Sequence, residues 1–442
     1  MRQVEFNLVC AILTATSGGC GADAGSPSSS ATAQADSATQ ADSATAQTAD
    51  SSATAETSAP APTCTDGAAN GGEIGVDCGG PCTPCGIGQP CAVGGDCAST
   101  VCKKAKCVPP GWLIGAGGGA ETVKFTTVLS TKLADPAALA FHPIVKGQLW
   151  VANRKDDSLV IAQIDDSGAV AGPVLRYADS SLHFLEFVNA LSFVADGNHF
   201  ASCGDSRNTY HGNVPANDFM GPVLWPGDLA EFKQFGPDAA GVHLDMMHDT
   251  PSCMGIASAG GTAYFVFNGV AGSIDWYDFG APHVHGGDDH TDGAKKRYAK
   301  LGLARVANTP SHLAYDLESK MLYIADTGNG RIVRLDTTTG TAGTSIKLYP
   351  VEVAMKTVTG AKLEVVLDGL DKPSGLVLHD GYLFFTTVGG SMIFGVSADG
   401  QVGATLDTGL PPGALAGLAV GPDERLYFVD RKAQVVRRID VP

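Results

Sequence analysis

Apolar residues in the carboxyl-terminal part of the chain recur in short runs that predict β-strands rather than helices. In residues 322–336, LYIADTGNGRIVRLD, the apolar Leu322, Ile324, Ile332 and Leu335 flank the polar sequence DTGNG. Apolar positions on both sides of a glycine-rich turn are typical of a β-hairpin. Because an isolated hairpin is marginally stable in water, this one must belong to a larger sheet.

The same unit, an apolar run followed by a hairpin, occurs six times. The first runs are ALAF from Ala138, ALSF from Ala190, GIAS from Gly255, HLAY from His312, GLVL from Gly375 and GLAV from Gly417. Equivalent leucine or isoleucine positions are separated by 52, 65, 57, 63 and 42 residues, and periods of this order are typical of repeat architectures. The second strands follow as QLWVAN, HFASC, AYFVF, MLYIAD, YLFFTT and RLYFVD.

The sixth unit is expected to have three strands of its own, the third of them at Val435–Ile439, close to Pro442. Residues 122–129 are predicted to supply its fourth strand, which closes a ring and removes exposed sheet edges. In the second unit no third strand is evident, because a long insertion follows Gly204. The pattern predicts an all-β fold over residues 111–442, a six-bladed β-propeller with four strands in each blade.

Two further segments are predicted at the amino terminus. Residues 1–20 combine Arg2, the apolar run LVCAILTA and a cysteine at position 20, as signal peptides do. The favoured interpretation is a bacterial lipoprotein signal with Cys20 lipidated, and ordinary secretion is the alternative. Residues 21–63 are rich in Ala, Ser and Thr and lack Lys and Arg, a composition typical of a disordered linker.

Residues 64–110 form a predicted cysteine-rich module. Eight of the twelve cysteines lie between positions 64 and 107, and an even number in an exported protein predicts four disulfides of undetermined pairing. Cys82 and Cys85 have a spacing that also suits zinc, but no second such pair follows. The pattern CTDGAANGGEIGVDCGGPCTPC resembles cysteine-rich modules of myxobacterial surface and secreted proteins, which implies an extracytoplasmic spacer or adhesion role.

The strongest repeat, PSHLAYD followed by LYIADTGNGRIVRLD, resembles the units of the NHL-repeat propeller family. Within that resemblance, the peptidyl-α-hydroxyglycine amidating lyases carry zinc-binding histidines at the start of innermost strands, and His312 is similarly placed. The likeness stops there, because Ala138, Ala190, Gly255 and the other equivalent positions are not histidine. The resemblance therefore implies the fold and a metal ligand at His312, but not the lyase reaction.

Two groups of residues are candidate metal sites. The first contains His243, Asp245, His248, Tyr210, His211 and His312. Cys203 and Cys253 are predicted to lie on one face of the propeller and to form a disulfide, which would hold residues 241–252 beside the central channel. Imidazole nitrogens with a carboxylate are the ligand set of zinc, iron or copper. We expect this first group at the channel mouth.

The second group lies within the sequence HVHGGDDHTDG. Its candidate ligands are His283, His285, Asp288 and His290. Calcium is a further candidate ion here, because aspartate oxygens are suitable ligands for it. By strand alternation this loop belongs to the opposite face. If it reaches across, both groups share one metal centre, and the alternative is a solvated acidic loop.

The formal net charge of −17 argues against a nucleic-acid partner. No later segment has the roughly 18 continuous apolar residues of a membrane span, so membrane contact is expected only through a lipid anchor. One hypothesis is a binding or scaffold module for a protein, glycan or small molecule, displayed at the outer membrane or cell surface, or secreted. The other is a metal-dependent lyase or hydrolase acting on a small polar or peptidic substrate at the channel mouth. The sequence identifies no catalytic residue and does not decide between them.

Overall fold

Antiparallel β-sheets account for most of the regular structure in the computed structural model, which describes residues 63–179, 183–207, 218–234, 242–287, 289–346 and 352–442. The cysteine-rich module pairs β1 (Cys102–Lys103) with β2 (Lys106–Cys107), and β3 (Lys124–Leu129) follows. The expectations for residues 1–62, including the signal peptide and Cys20, lie outside the described residues.

The first three blades are listed with the innermost strand first. Blade 1 contains β4 (Pro136–Phe141), β5 (Gln148–Asn153), β6 (Ser158–Gln163) and β7 (Leu175–Ala178). Blade 2 contains β8 (Val188–Phe193), β9 (His199–Gly204), β10 (Val223–Pro226) and β11 (Asp245–Met246). Blade 3 contains β12 (Cys253–Gly260), β13 (Ala263–Asn268), β14 (Ser273–Asp278) and β15 (Ala294–Tyr298).

The remaining strands complete the ring. Blade 4 begins with β16 (Leu313–Tyr315), β17 (Met321–Asp326) and β18 (Arg331–Asp336). The chain then forms β19 (Thr341–Ile346) and β20 (Met355–Thr359) before returning to blade 4 as β21 (Leu363–Leu367). Blade 5 contains β22 (Pro373–His379), β23 (Tyr382–Thr387), β24 (Met392–Ser397) and β25 (Val402–Asp407). Blade 6 contains β26 (Leu415–Val420), β27 (Leu426–Asp430) and β28 (Val435–Asp440).

The predicted six-bladed propeller is confirmed, including its closure. Strand β3 pairs antiparallel with β28 as the outermost strand of blade 6. The innermost strands contact one another in the order β4, β8, β12, β16, β22, β26 and back to β4. The amino-terminal strand therefore completes a sheet whose other strands come from the carboxyl terminus.

Two blades differ from the simple repeat. Blade 2 has a third strand, β10, which the sequence pattern missed, and its fourth strand, β11, lies within the stretch assigned to a channel-side loop. In blade 3, β20 adds parallel to β15 and β19 adds beyond it, so this sheet has six strands. The hairpin formed by β19 and β20 interrupts blade 4 and accounts for its long spacing.

The apolar core is divided among the gaps between neighbouring blades. Between blades 1 and 2, for example, Trp150, Phe200 and Trp225 are fully buried in one cluster. Every residue of β5 and β13 is buried, because blades cover both faces of these strands. This explains why second strands such as QLWVAN show continuous apolar runs rather than alternation.

Helical structure is sparse. The described residues include α1 (Leu229–Phe232) and 3-10 turns at Gly94–Asp96, Trp112–Ile114, Ala120–Thr122 and Thr327–Asn329. Among the helices of the described segments, none has the length and hydropathy required to span a membrane.

The cysteine-rich module is held by four disulfides and packs on blade 5. The bridges are Cys64–Cys82, Cys78–Cys85, Cys91–Cys102 and Cys97–Cys107. Its Lys103 pairs with Asp380 and also lies 4.7 Å from the ring centre of Trp112. Trp112 in turn packs edge-on against Tyr382 and Phe384. The module is thus docked on the propeller.

One end of the channel is crossed by the segment that connects blades 3 and 4. Its Arg305 pairs with Asp205 of blade 2 at 2.8 Å, and its Asn308 accepts a hydrogen bond from Arg154 of blade 1 at 3.1 Å. Asp205 also lies 3.4 Å from the nearly buried Arg154 guanidinium. Arg431 of blade 6 donates to the Asn308 carbonyl at 3.0 Å. Charged and polar contacts therefore tie blades 1, 2 and 6 to the connection between blades 3 and 4 at this end.

Asp205→Asn should destabilise the propeller by about 3 kcal/mol, because it removes the buried carboxylate shared by Arg154 and Arg305 and leaves the buried Arg154 guanidinium with the more distant Asp135, at 3.7 Å. Chemical unfolding measures the difference. Asp166→Asn is the control, since Asp166 forms an exposed ion pair with Lys146 and should change stability by less than about 1 kcal/mol. Equal stability of the two variants would show that these charges do not hold the channel end.

Candidate functional site

The outer edge of blades 2 and 3 brings together four of the histidines and carboxylates that the sequence singled out, namely Asp245, His248, His283 and His290. Strand β11 supplies Asp245 at the rim of blade 2. The connection between β14 and β15 supplies His283, His290 and Asp292, and Glu352 lies just before β20. Because β11, β15 and β20 are all outer strands, the cluster lies at the periphery and not at the channel mouth.

Three of these side chains, those of Asp245, His283 and Asp292, form a compact group of potential metal ligands. His283 Nε2 lies 3.6 Å from Asp245 Oδ2 and 3.6 Å from Asp292 Oδ1. The ligand atoms of all three residues lie within 4.8 Å of one another. Neither Asp245 Oδ2 nor His283 Nε2 has a hydrogen-bond partner among the described residues, although both atoms are buried. A buried carboxylate oxygen in this state is costly unless a cation occupies the space before it.

Exposure differs across this group. The Asp245 side chain is 1% exposed, that of His283 17% and that of Asp292 39%. The backbone N–H of Ala281 donates to Asp292 Oδ2 at 2.9 Å, which leaves the other oxygen directed towards His283. The group therefore has a closed inner side and an outer side open to solvent.

His290 links this group to a second one. Its Nδ1 lies 2.5 Å from Asp245 Oδ1, so the two oxygens of Asp245 face two different histidines. The His290 and His248 rings are inclined at 73°, with centres 5.6 Å apart. His248 Nδ1 contacts Glu352 Oε1, and ligand atoms of His248, His290 and Glu352 lie within 4.8 Å of one another.

A buried lysine anchors the inner side of the second group. Lys295 Nζ lies 2.6 Å from Glu352 Oε2 and 2.6 Å from Asp249 Oδ2, and its side chain is fully buried. Burial raises the pKa of Asp249 above its ordinary value in spite of this lysine. Burial also acts to raise the pKa of Glu352, but the hydrogen bonds and charges of His248 and Lys295 outweigh it, and the pKa is lowered.

The cluster carries an excess of negative charge. Asp245, Asp249, Asp292 and Glu352 supply four carboxylates, and Lys295 is the permanent cation paired with them in the described part of the chain. Three of the four carboxylates are almost completely buried. Because buried charge requires compensation, the arrangement favours cations, supplied by protonated imidazoles or by metal ions.

The expected convergence of the first group at the channel is wrong in its placement. Residues 241–252 were taken as one channel-side connection, whereas β11 divides them and puts His243 and Asp245 at the outer rim. They lie beside the connection that carries His283 and His290. The two candidate groups therefore meet, as the alternative expectation allowed, although at the rim.

His312 lies apart from the cluster. It is buried beside the channel, and its Nε2 donates to the Asn189 carbonyl at 3.0 Å, a role that a metal-bound nitrogen cannot play. Burial lowers the pKa of His312 to about 4, which keeps the ring neutral. A Cβ at Gly255 would lie 2.1 Å from the Ser311 carbonyl oxygen, so the close approach of inner strands leaves no room there for histidine.

The remaining candidate ligands either contact other residues or lie outside the described part of the chain. His285 Nε2 contacts Glu231 of α1 at 2.8 Å, and the His243 ring stacks on Phe184 with centres 4.0 Å apart. Tyr210, His211 and Asp288 lie outside the described residues. The disulfide between Cys203 and Cys253 is present and joins β9 to β12.

Sequence reasoning missed Glu352, Lys295 and Asp249 and did not assign Asp292 as a ligand. Glu352 lies in the segment of blade 4 that contains β19 and β20 and pairs with blade 3. The only sign of this segment in the sequence is the long spacing of 63 residues between Leu313 and Leu376. Lys295 gave no signal, since a lysine on an outer strand is ordinarily exposed.

Comparison with known proteins adds no family assignment. No protein-family model matches the chain, and no curated protein matches it. Among solved structures, a virginiamycin B lyase from Staphylococcus aureus is similar at 12% identity, covering 72% of this chain and 100% of that one with a TM-score of 0.44. A luciferin-regenerating enzyme is similar at 12% identity, 72% and 95% coverage and a TM-score of 0.47. An auxiliary nutrient binding protein from Bacteroides thetaiotaomicron is similar at 13% identity, covering 72% of this chain and 76% of that one with a TM-score of 0.45.

Lys295→Met should destabilise the protein by more than about 3 kcal/mol at pH 8, because two buried carboxylates lose their cation. The lowered pKa of Glu352 means that its stabilising charge is present above the ordinary value of 4.5 and is lost as pH falls through the folded-state pKa. The difference from wild type should therefore be complete at pH 8 and smaller at about pH 3, below that ordinary value, as measured by urea unfolding.

Lys296→Met is the matched control on the same strand. Lys296 Nζ lies over the Trp276 ring at 4.3 Å, and its loss should cost about 1 kcal/mol without this pH dependence. An Lys295→Met deficit that is the same at both pH values would contradict the assigned charge pairing.

Proposed function

We propose that this protein is an extracytoplasmic, surface-anchored propeller that acts as a binding module through a divalent transition metal at the outer edge of blades 2 and 3. The observation that carries the proposal is the group formed by Asp245, His283 and Asp292. Two of its buried ligand atoms, Asp245 Oδ2 and His283 Nε2, lack hydrogen-bond partners in the described structure and lie 3.6 Å apart. Imidazole with carboxylates suits zinc and related ions better than calcium.

The exposure of the group supports a role in binding a further molecule. Three protein ligands leave coordination positions open on a tetrahedral or larger ion. Asp292, the most exposed of the three, places those open positions on the solvent side. The bound ion would accept an oxygen or nitrogen atom from a small molecule, a glycan or a protein side chain.

The proposed location outside the cytoplasm has separate support. Five disulfides occur in the described structure, and disulfides persist mainly in exported proteins. The sequence of residues 1–20 favours a lipoprotein signal, and the resemblance of residues 64–107 to modules of myxobacterial surface proteins agrees with it. The NHL-like repeats serve in this proposal as the scaffold that carries the site.

The metal site is tested with the purified full-length chain, stripped by a chelator and titrated with zinc. We expect saturable binding, and we expect His283→Ala to weaken it by more than about 100-fold, since loss of an outer-shell partner alone commonly costs 10- to 100-fold. His285→Gln is the control from the same loop, because His285 contacts Glu231, and it should bind as wild type does. Isothermal titration calorimetry gives both affinities.

Two results would contradict the proposal: no zinc binding by the wild type, or equal weakening by both variants.

The second candidate function, a metal-dependent lyase or hydrolase, is favoured by the same open coordination positions. It would be recognised by turnover of small peptides or esters that requires zinc and disappears in His283→Ala. Zinc binding without turnover leaves the binding module as the function.

The anchor is tested by Cys20→Ala in a bacterial host that processes lipoproteins. The wild-type chain should incorporate labelled fatty acid and sediment with membranes, because a cysteine-linked lipid supplies the anchor. The variant should lose the label and leave the membrane fraction. Unlabelled, freely secreted wild-type protein would show that ordinary secretion, the alternative, is correct.

A further inference from the structure

The group of His248, His290 and Glu352 adjoins the proposed metal site but shares no ligand with it. Its ligand atoms lie within 4.8 Å of one another, as in the first group. The side chains of His248 and Glu352 are 5% and 0% exposed, and that of His290 is 12% exposed. Two imidazoles and one carboxylate are a common three-residue ligand set for zinc.

Asp245 connects the two groups through its two oxygens. Its Oδ2 faces His283 in the first group, and its Oδ1 accepts a hydrogen bond from His290 Nδ1 at 2.5 Å. A carboxylate that accepts from one ring nitrogen fixes the tautomer of a histidine and directs the other nitrogen to a metal. Asp245 is therefore a ligand in the first group and an orienting residue for the second.

The second group also has an orienting contact of its own. Lys295 holds Glu352 Oε2 at 2.6 Å, and the other oxygen, Oε1, contacts His248 Nδ1, a contact that an ion shared by the two residues would replace. The backbone N–H of His248 also donates to Glu352, at 3.0 Å. The carboxylate is thus fixed in position by residues from blades 2 and 3 before any ion binds.

From this geometry we infer that the outer edge of blades 2 and 3 binds a pair of divalent transition-metal ions, the second held by His248, His290 and Glu352. The inference extends the proposed function and rests on it for the first ion. Four carboxylates and one lysine give the cluster a net charge of about −3 with neutral histidines, which two divalent ions bring close to neutrality.

A paired site defines the class of ligand more narrowly than a single ion does. Two neighbouring cations bind a molecule whose two oxygens reach both, such as a phosphate or a carboxylate. The pair lies between the exposed Asp292 and the buried Lys295, so an anionic group would approach from the side of Asp292.

The stoichiometry of binding tests the inference on the full-length protein with metal ions alone as probes. Elemental analysis after zinc loading and gel filtration should give two ions per wild-type chain. Glu352→Gln and His248→Gln should each retain one. Two variants are used because Glu352→Gln also removes a partner of Lys295, and circular dichroism shows which variant is folded.

His379→Ala is the matched control. His379, Asp380 and Glu424 form a separate and more exposed group of metal-ligating side chains. The control should retain two ions, and a loss of one would place the second ion at that group and overturn the inference.

Loading with Cu²⁺ gives an independent signal, because two neighbouring copper ions broaden each other's electron paramagnetic resonance spectrum. The wild type should show this broadening, and His248→Gln should show the spectrum of an isolated ion.

The outcomes separate this inference from the proposed function. One ion per wild-type chain, lost in His283→Ala, retains the proposed function and overturns the pair. No bound ion overturns both. Two ions in the wild type that persist in a folded Glu352→Gln or His248→Gln chain also overturn the pair, because the second ion would then lie elsewhere.

Discussion

The packing of each blade against both of its neighbours is the constraint on which the rest of the structure depends. Second strands such as β5 and β13 are buried along their whole length, and large aromatic side chains fill the gaps between blades. A stack of sheets with two apolar faces cannot end in water, so the ring must close. Pairing of β3 with β28 achieves that closure from opposite ends of the domain.

Ring closure restricts where new chemistry can arise. The innermost strands approach so closely that Gly255 and Gly375 cannot accept a side chain without displacing a neighbouring carbonyl. The outer strands have no such neighbour, and the chain can lengthen there without disturbing the core. One departure from the repeat, the hairpin of β19 and β20, reaches this outer rim.

At the rim, this hairpin creates a buried environment that a four-stranded blade lacks. Strand β20 covers the edge of β15 and brings Glu352 to Lys295. Charged side chains that would be solvated on an ordinary outer strand are thereby enclosed. Enclosure strengthens each electrostatic interaction and makes an excess of carboxylates depend on cations. The histidines gain a defined arrangement for the same reason, since Asp245 is held rigidly between them.

The sequence alone determined the propeller, its six blades, the closing strand and the two histidine-rich segments. These features depend on local patterns of apolar residues and on chain spacing, which are visible without coordinates. The tertiary structure decided which segments meet. A two-residue strand such as β11 is too short to show a pattern of apolar residues in the sequence. Its pairing nevertheless places Asp245 at the rim, whereas the sequence predicted the channel. Glu352 joins the cluster only because the hairpin of blade 4 crosses to blade 3, and such a crossing depends on pairing between strands distant in sequence.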